Sequence, residues 1–98
     1  MTPEQRHKDA VAALGCIMAH LGWGAECGGL RACELHHPRE DEGAAQRAPD
    51  MLVIPACTNH HTGPFGIHHS KAFYLRTKLS VWDLLAETLR LLEIRRAA

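Results

Sequence analysis

The sequence has no excess of positive charge. Eleven lysine and arginine residues balance eleven aspartate and glutamate residues, so the formal net charge at pH 7 is zero. A chain of this kind does not hold nucleic acid by bulk electrostatic attraction. Any contact with DNA must therefore be made by a local group of residues.

The sequence also lacks an apolar N-terminal leader and any run of apolar residues long enough to span a bilayer. These absences predict a soluble, intracellular protein with no membrane partner. Disulfides form mainly in oxidising compartments, so the four cysteines are expected to serve as thiols for metal. The alternative is a disulfide-stabilised secreted domain, which requires oxidised cysteine pairs.

What the chain does contain is enough for one small domain over residues 1–98, since 46% of its residues are hydrophobic. A core of that size supplies limited stability, and a bound metal ion would add to it.

Two helices are predicted, one near each end. Thr2, Pro3 and Gln5 have the pattern of an N-cap, a first-turn proline and a capping-box partner, which predicts a helix over 3–21. Ser80 and Asp83 predict the start of the second helix. Apolar residues at helical spacing mark the expected buried faces: Val11, Leu14, Met18 and Leu21 in the first helix, and Val81, Leu85, Leu89 and Leu92 in the second.

Between the helices, two short segments favour strands. The segment 32–37 ends before Pro38, and the apolar segment 51–54 is closed by Pro55. We expect them to pair antiparallel, with 38–50 as a surface connection. The stretch 71–75 fits either a helical turn or an extended piece. The predicted class is α+β.

Six of the eight histidines form three adjacent pairs: His36-His37, His60-His61 and His68-His69. Each pair follows an apolar segment or a turn. Imidazole binds zinc and other transition metals, so histidines at a strand end and on the next element can form one site after folding. Neighbouring residues of a strand point in opposite directions, so one ring of a pair can bind metal while the other does something else.

A second site is indicated by Cys57-x-x-His60, which has the spacing of half a zinc knuckle. Its other half has to come from the earlier cysteines and histidines. We favour Cys16, completed either by His20, one helical turn further on, or by a loop cysteine, Cys27 or Cys33.

Four segments together resemble a known family: Cys33–Arg39, Ala45–Asp50, Ile54–His61 and Gly66–His68. They are similar to the HNH nucleases of the phage recombination enhancement function type, which nick or cut DNA in dependence on a recombinase. The similarity runs from about residue 15 to residue 92.

The resemblance implies a ββα-metal fold with a structural zinc, flanked by an N-terminal and a C-terminal helix. It implies that His37 is the general base and that His36, His61 and His68 bind the catalytic ion. Cys57 and His60 match structural zinc ligands, with Cys16 in the first half of that site and His20 as a candidate for the uncertain fourth ligand. A Cys-x-x-Cys found in many members is absent at Cys16-Ile17-Met18-Ala19.

The implied activity is hydrolysis of DNA phosphodiesters with one divalent ion, magnesium, manganese or zinc, and a histidine base. Arg39, Arg47, Lys71 or Arg76 are candidates for holding the phosphate. The implied partners are DNA and a recombinase filament, in the cytoplasm of a bacterial or phage-infected cell. The alternative function is a non-catalytic zinc module that binds DNA or a recombination protein.

Overall fold

The computed structural model describes residues 1–29, 33–39 and 49–97. Helix α1 (Pro3–Ala12) leads through a π-type turn (Ala19–Trp23) and a 3₁₀ turn (Gly24–Cys27) to a two-stranded sheet. Strand β1 is Glu34–His36 and strand β2 is Ile54–Ala56. Three helices follow: α2 (Thr58–His61), α3 (Ser70–Thr77) and α4 (Val81–Ala97). The described chain is therefore α+β, as predicted.

The first helix begins as predicted but ends early. The Thr2 hydroxyl accepts a hydrogen bond from the Gln5 amide at 3.1 Å, which caps the helix. The prediction of one helix over 3–21 is wrong, because α1 ends at Ala12 and Gly15, at φ +79, interrupts the helical backbone beyond it. Val11, Leu14 and Met18 are nevertheless buried. The helical spacing of apolar residues thus continues past the end of α1, so the spacing alone does not locate that end.

The two strands pair antiparallel, with His36 opposite Ile54 and Glu34 opposite Ala56. The second strand lies later than the predicted 51–54. A hydrogen bond of 2.9 Å from the Leu52 amide to the Pro49 carbonyl makes a turn that removes residues 51 and 52 from the ladder. Residue 32 and most of the predicted connection 38–50 lie outside the described residues.

Helix α4 closes the core against the hairpin. Ser80 and Asp83 form the predicted capping box, with the Ser80 amide donating to the Asp83 carboxylate at 2.8 Å and the Asp83 amide donating to the Ser80 hydroxyl at 3.2 Å. The prediction that Leu89 is buried is wrong, since it is 44% exposed. Thr88 is buried in its place, about 100° away around the helix axis.

The buried side chains form two clusters. The larger joins Ile17, Met18, Ile54, Phe73 and Leu84 with three of the cysteines. The smaller joins Val11, Leu14, Val53 and Leu92, and so ties α1 to α4. No helix within the described ranges combines the length and the apolar composition that crossing a bilayer requires.

Candidate metal centres

Three cysteines and one histidine converge in the larger core cluster. Cys16 follows Gly15, whose φ is positive, Cys27 ends the 3₁₀ turn, Cys57 caps α2, and His60 lies on α2. All four are buried, at 7% exposure or less. The His60 Nδ1 atom lies 3.5 Å from Sγ of Cys16, 3.5 Å from Sγ of Cys27 and 3.2 Å from Sγ of Cys57. We call this set the Cys3His group.

This geometry fits a tetrahedral metal ion. The four candidate ligand atoms lie within 4.8 Å of one another. With bonds of about 2.3 Å to sulfur and about 2.0–2.1 Å to nitrogen, a tetrahedral ion separates nitrogen from sulfur by about 3.6 Å. The observed spacings are close to that value. Three cysteines with one histidine are also a common donor set of structural zinc sites.

Burial makes two thiols of this group, Cys27 and Cys57, weak acids when no cation is near. It raises the pKa of Cys27 to about 12, with a further contribution from the neighbouring thiols, and it also raises the pKa of Cys57. The Cys27 and Cys57 thiols are therefore protonated at neutral pH when no metal is bound. A metal ion has to displace these protons as it binds, so its affinity depends on pH.

Cys27, and not His20, lies within ligand distance of Cys16, Cys57 and His60. The His20 ring nitrogen Nε2 lies 2.6 Å from the Leu14 carbonyl oxygen, and because a carbonyl only accepts, that nitrogen carries a proton. His20 is not among the residues whose ligand atoms lie close to the three sulfurs. Of the two alternatives for the fourth ligand, the structure therefore brings the loop cysteine Cys27, and not His20, to the group.

A carboxylate orients the His60 ring from the other side. Glu26 Oε1 accepts a hydrogen bond from His60 Nε2 at 2.9 Å, which leaves Nδ1 free to face the three sulfurs. Arg76 donates to both Glu26 oxygens, at 2.8 and 3.0 Å, and its guanidinium lies 4.9 Å from the Trp23 ring and 5.2 Å from the Phe65 ring. Arg76, a candidate phosphate ligand, thus pairs with Glu26.

The Glu26 carboxylate is held ionised by these contacts. Partial burial raises its pKa, but hydrogen bonds from His60 and Arg76 outweigh that effect and leave the pKa below its ordinary value. An ionised Glu26 strengthens the basicity of the imidazole it contacts. The sequence did not single out this residue, since an isolated glutamate in a loop has no local signature of such a role.

A second group consists of His36 at the end of β1, His61 at the end of α2, and His68 in the segment before α3. The Nε2 atoms of His61 and His68 lie 3.0 Å apart. The His36 ring centroid lies 5.3 Å from that of His61 and 5.0 Å from that of His68. One nitrogen of each ring can contact a common ion, because the three atoms lie within 4.8 Å of one another. We call this set the three-histidine group.

His36 is the most buried member of this group. Its side chain is 4% exposed, and neither ring nitrogen has a hydrogen-bond partner among the residues that the structure describes. A buried polar atom left in that state is costly. Burial, together with the neighbouring His61 and His68, lowers the pKa of His36 to about 4. The ring is therefore neutral at pH 7, as metal binding requires.

His61 is oriented in the same way as His60. Its Nδ1 donates to Glu34 Oε1 at 2.7 Å, and the other carboxylate oxygen accepts from the Thr58 hydroxyl at 3.0 Å. The hydrogen bond from His61 is the main reason that the pKa of Glu34 lies below its ordinary value. With Nδ1 protonated toward Glu34, the lone pair of His61 is on Nε2, which faces His68.

His37 lies beside this group and has a different partner. Its Nε2 lies 2.8 Å from Asp50 Oδ1, and Lys8 Nζ lies 3.6 Å from Asp50 Oδ2. An ionised carboxylate accepts the hydrogen bond, so His37 is protonated on Nε2 and its other nitrogen, Nδ1, can accept a proton. His37 lines an open pocket of about 130 Å³ together with the three-histidine group, Leu35 and Arg39.

The remaining candidate residues fall in different places. Arg39 lines the pocket, and Lys71 is exposed near the start of α3. Arg47 lies outside the described residues. All four cysteines are free thiols, and Cys33 is half-buried outside the Cys3His group.

Comparison with known proteins found no matching family model, no matching curated protein and no matching solved structure.

Proposed function

We propose that this chain is a metal-dependent DNA endonuclease of the HNH type. The observation that carries the proposal is the convergence of three imidazoles, from His36, His61 and His68, on one open pocket that His37 also lines. The proposal includes the ββα-metal arrangement, since the β1–β2 hairpin is followed directly by α2, which contributes His61.

The two donor sets suit different tasks. The Cys3His group offers four protein ligands and is fully buried, which is typical of a structural zinc. The three-histidine group offers three ligands beside a pocket and includes the exposed His68, so one coordination position is left for water or substrate. We therefore assign structural zinc to the first group and a catalytic divalent ion to the second.

In the proposed reaction, His37 takes a proton from the attacking water. Its contact with Asp50 fixes the ring and leaves Nδ1 as the acceptor. A bound divalent ion supplies Lewis-acid stabilisation of the charge that develops on the phosphate. Arg39 in the pocket wall and Lys71 on α3 supply positive charge for the DNA backbone.

A supercoiled-plasmid cleavage assay tests the proposal. The wild-type chain is assayed with magnesium, manganese, zinc or a chelator, beside His37→Ala. We expect metal-dependent nicking or cutting, and a loss of about 10²- to 10⁴-fold in the variant, the usual contribution of a general base. His69→Ala is the matched control, since His69 is an exposed histidine outside the three-histidine group.

Equal cleavage by His37→Ala and the wild type would remove His37 as the base. The alternative function, a non-catalytic zinc module for DNA or a recombination protein, is supported by the Cys3His group alone, because that group needs neither His37 nor the pocket. It predicts zinc binding without cleavage under every metal condition. Adding a recombinase filament to the same assay tests the partner that the family resemblance implies.

A further inference from the structure

We propose that the two metal centres are coupled: filling the Cys3His group raises the affinity of the three-histidine group for its own ion. The basis is that consecutive residues, His60 and His61, serve different groups from the same short helix, α2. The inference rests on the metal-binding part of the proposed function and not on DNA cleavage.

Helix α2 cannot maintain its shape unaided. It spans four residues, Thr58–His61, which is a single turn, and an isolated turn is unfavourable because nucleation costs more than its few hydrogen bonds return. Cys57 caps this turn and His60 lies within it. An ion held by both side chains therefore closes the turn and fixes the position of His61.

The same turn holds His68 through the backbone. The His68 amide donates to the His61 carbonyl at 3.1 Å, and the Ile67 amide donates to the His60 carbonyl at 2.8 Å. The approach is so close that a Cβ added at Gly66 would lie 2.4 Å from the His61 carbonyl oxygen. Two of the three imidazoles thus take their positions from α2.

A third link joins α2 to the strand that carries His36. The Thr58 hydroxyl and His61 Nδ1 both donate to the Glu34 carboxylate, and Glu34 lies on β1 with His36. The ordered turn therefore also sets the orientation of His61 relative to His36.

These links give the coupling its direction. When the Cys3His group is empty, an ion at the three-histidine group has to order α2 and residues 66–68 as it binds, and that ordering reduces its affinity. When the Cys3His group is filled, the ordering has already occurred. Couplings of this kind commonly amount to about 5- to 150-fold in affinity.

Nuclear magnetic resonance on chain labelled with ¹⁵N in its histidine rings measures the two centres separately. The reduced, metal-free chain is titrated with zinc in a zinc buffer while the ring signals of His60, His61 and His68 are followed. In Cys27→Ser we expect the free-zinc midpoint at His61 and His68 to rise about tenfold or more, although all three imidazoles remain. Cys33→Ser, which removes the thiol outside the Cys3His group, is the matched control and should stay within about twofold.

An unchanged free-zinc midpoint at His61 and His68 in Cys27→Ser, with zinc binding at His60 lost, would overturn the coupling.

If far-ultraviolet circular dichroism shows that Cys27→Ser does not fold, the variant Gly66→Ala tests the coupling instead. Its added methyl group separates residues 66–68 from the His61 carbonyl, so the midpoint at His61 and His68 should rise about tenfold while that at His60 stays in place. Gly24→Ala is the control, because its Cβ would make only an ordinary 3.5 Å contact. No change at His61 and His68 in Gly66→Ala would overturn the proposed route.

Both titrations are made without DNA, so the outcome is separate from that of the cleavage assay. Coupled zinc binding in a chain that does not cut DNA would remove the nuclease and retain the inference. Cleavage of DNA by a chain whose two centres bind zinc independently would retain the nuclease and remove the coupling.

Discussion

The Cys3His group and the three-histidine group share helix α2 but differ in burial and in chemistry. The first has four buried members, three of them sulfur ligands. The second has only imidazoles and ranges from the buried His36 to the exposed His68. A closed, sulfur-rich set retains its ion and stabilises the fold, whereas an open set of three leaves a position for exchange. One short helix therefore joins a centre suited to stability to a centre suited to chemistry.

The largest expected contrast between them is in stability. We expect Cys57→Ala to remove the metal from the core and to lower the free energy of unfolding by several kcal/mol, because metal binding at such a site is coupled to folding. Each 1 kcal/mol lowers Tm by roughly 4–8 °C in a domain of this size. His68→Ala, at an exposed ligand of the other centre, should change Tm far less.

Thermal unfolding followed by circular dichroism, with and without added zinc, measures this contrast. Zinc should raise Tm of His68→Ala almost as much as Tm of the wild type, and should raise Tm of Cys57→Ala far less, since only the three-histidine group remains complete there. Equal losses of Tm in the two variants would contradict the assignment of the structural task to one centre.

A smaller effect is expected from the carboxylates behind each centre. Glu26→Ala should weaken zinc retention at the Cys3His group by about 10- to 100-fold, and Glu34→Ala should weaken zinc binding at the three-histidine group by a similar factor. Each carboxylate fixes which nitrogen of its histidine faces the metal position. Competition with a chromophoric chelator measures both affinities. A weaker Cys3His group in Glu34→Ala would show that the carboxylates are not specific to their centres.

Features set by residues close in sequence were predicted from the sequence, and features set by helix breaks and by the path of the loops were not. The caps at Thr2 and Ser80 were predicted correctly because their hydrogen bonds join residues three apart. The end of α1 was missed because the apolar spacing continues past Gly15. His20 contacts the Leu14 carbonyl, and Cys27 lies with the other members of the Cys3His group, which only the three-dimensional path of the loop decides.

The histidine rings were also predicted better than their partners, because the partners lie far away in the sequence. Histidines placed just beyond strands and turns predicted one cluster at the hairpin and a second through Cys57 and His60, and the structure brings the side chains of each cluster within ligand distance of one another. Glu26 and Glu34 were missed, because each contacts its histidine across more than twenty residues of sequence. That a ligand histidine needs a partner on its other nitrogen is a general expectation. Which residue supplies the partner depends on how β1 and the 3₁₀ turn pack against α2.

The smallest expected effect concerns Arg76, which lies one contact further from the metal position than Glu26. Arg76→Gln should weaken zinc retention at the Cys3His group by a few-fold, less than Glu26→Ala, because the Glu26–His60 hydrogen bond remains while the ion pair that holds Glu26 is lost. Arg90→Gln is the matched control, since Arg90 is an exposed arginine on α4 whose ion pair is with Glu87. Chelator competition gives the affinities of both variants. If Arg76→Gln lost as much zinc affinity as Glu26→Ala, Arg76 would act mainly through its packing against Trp23 and Phe65. Arg76→Lys keeps the charge but removes the planar guanidinium, so it should then show the same loss of affinity.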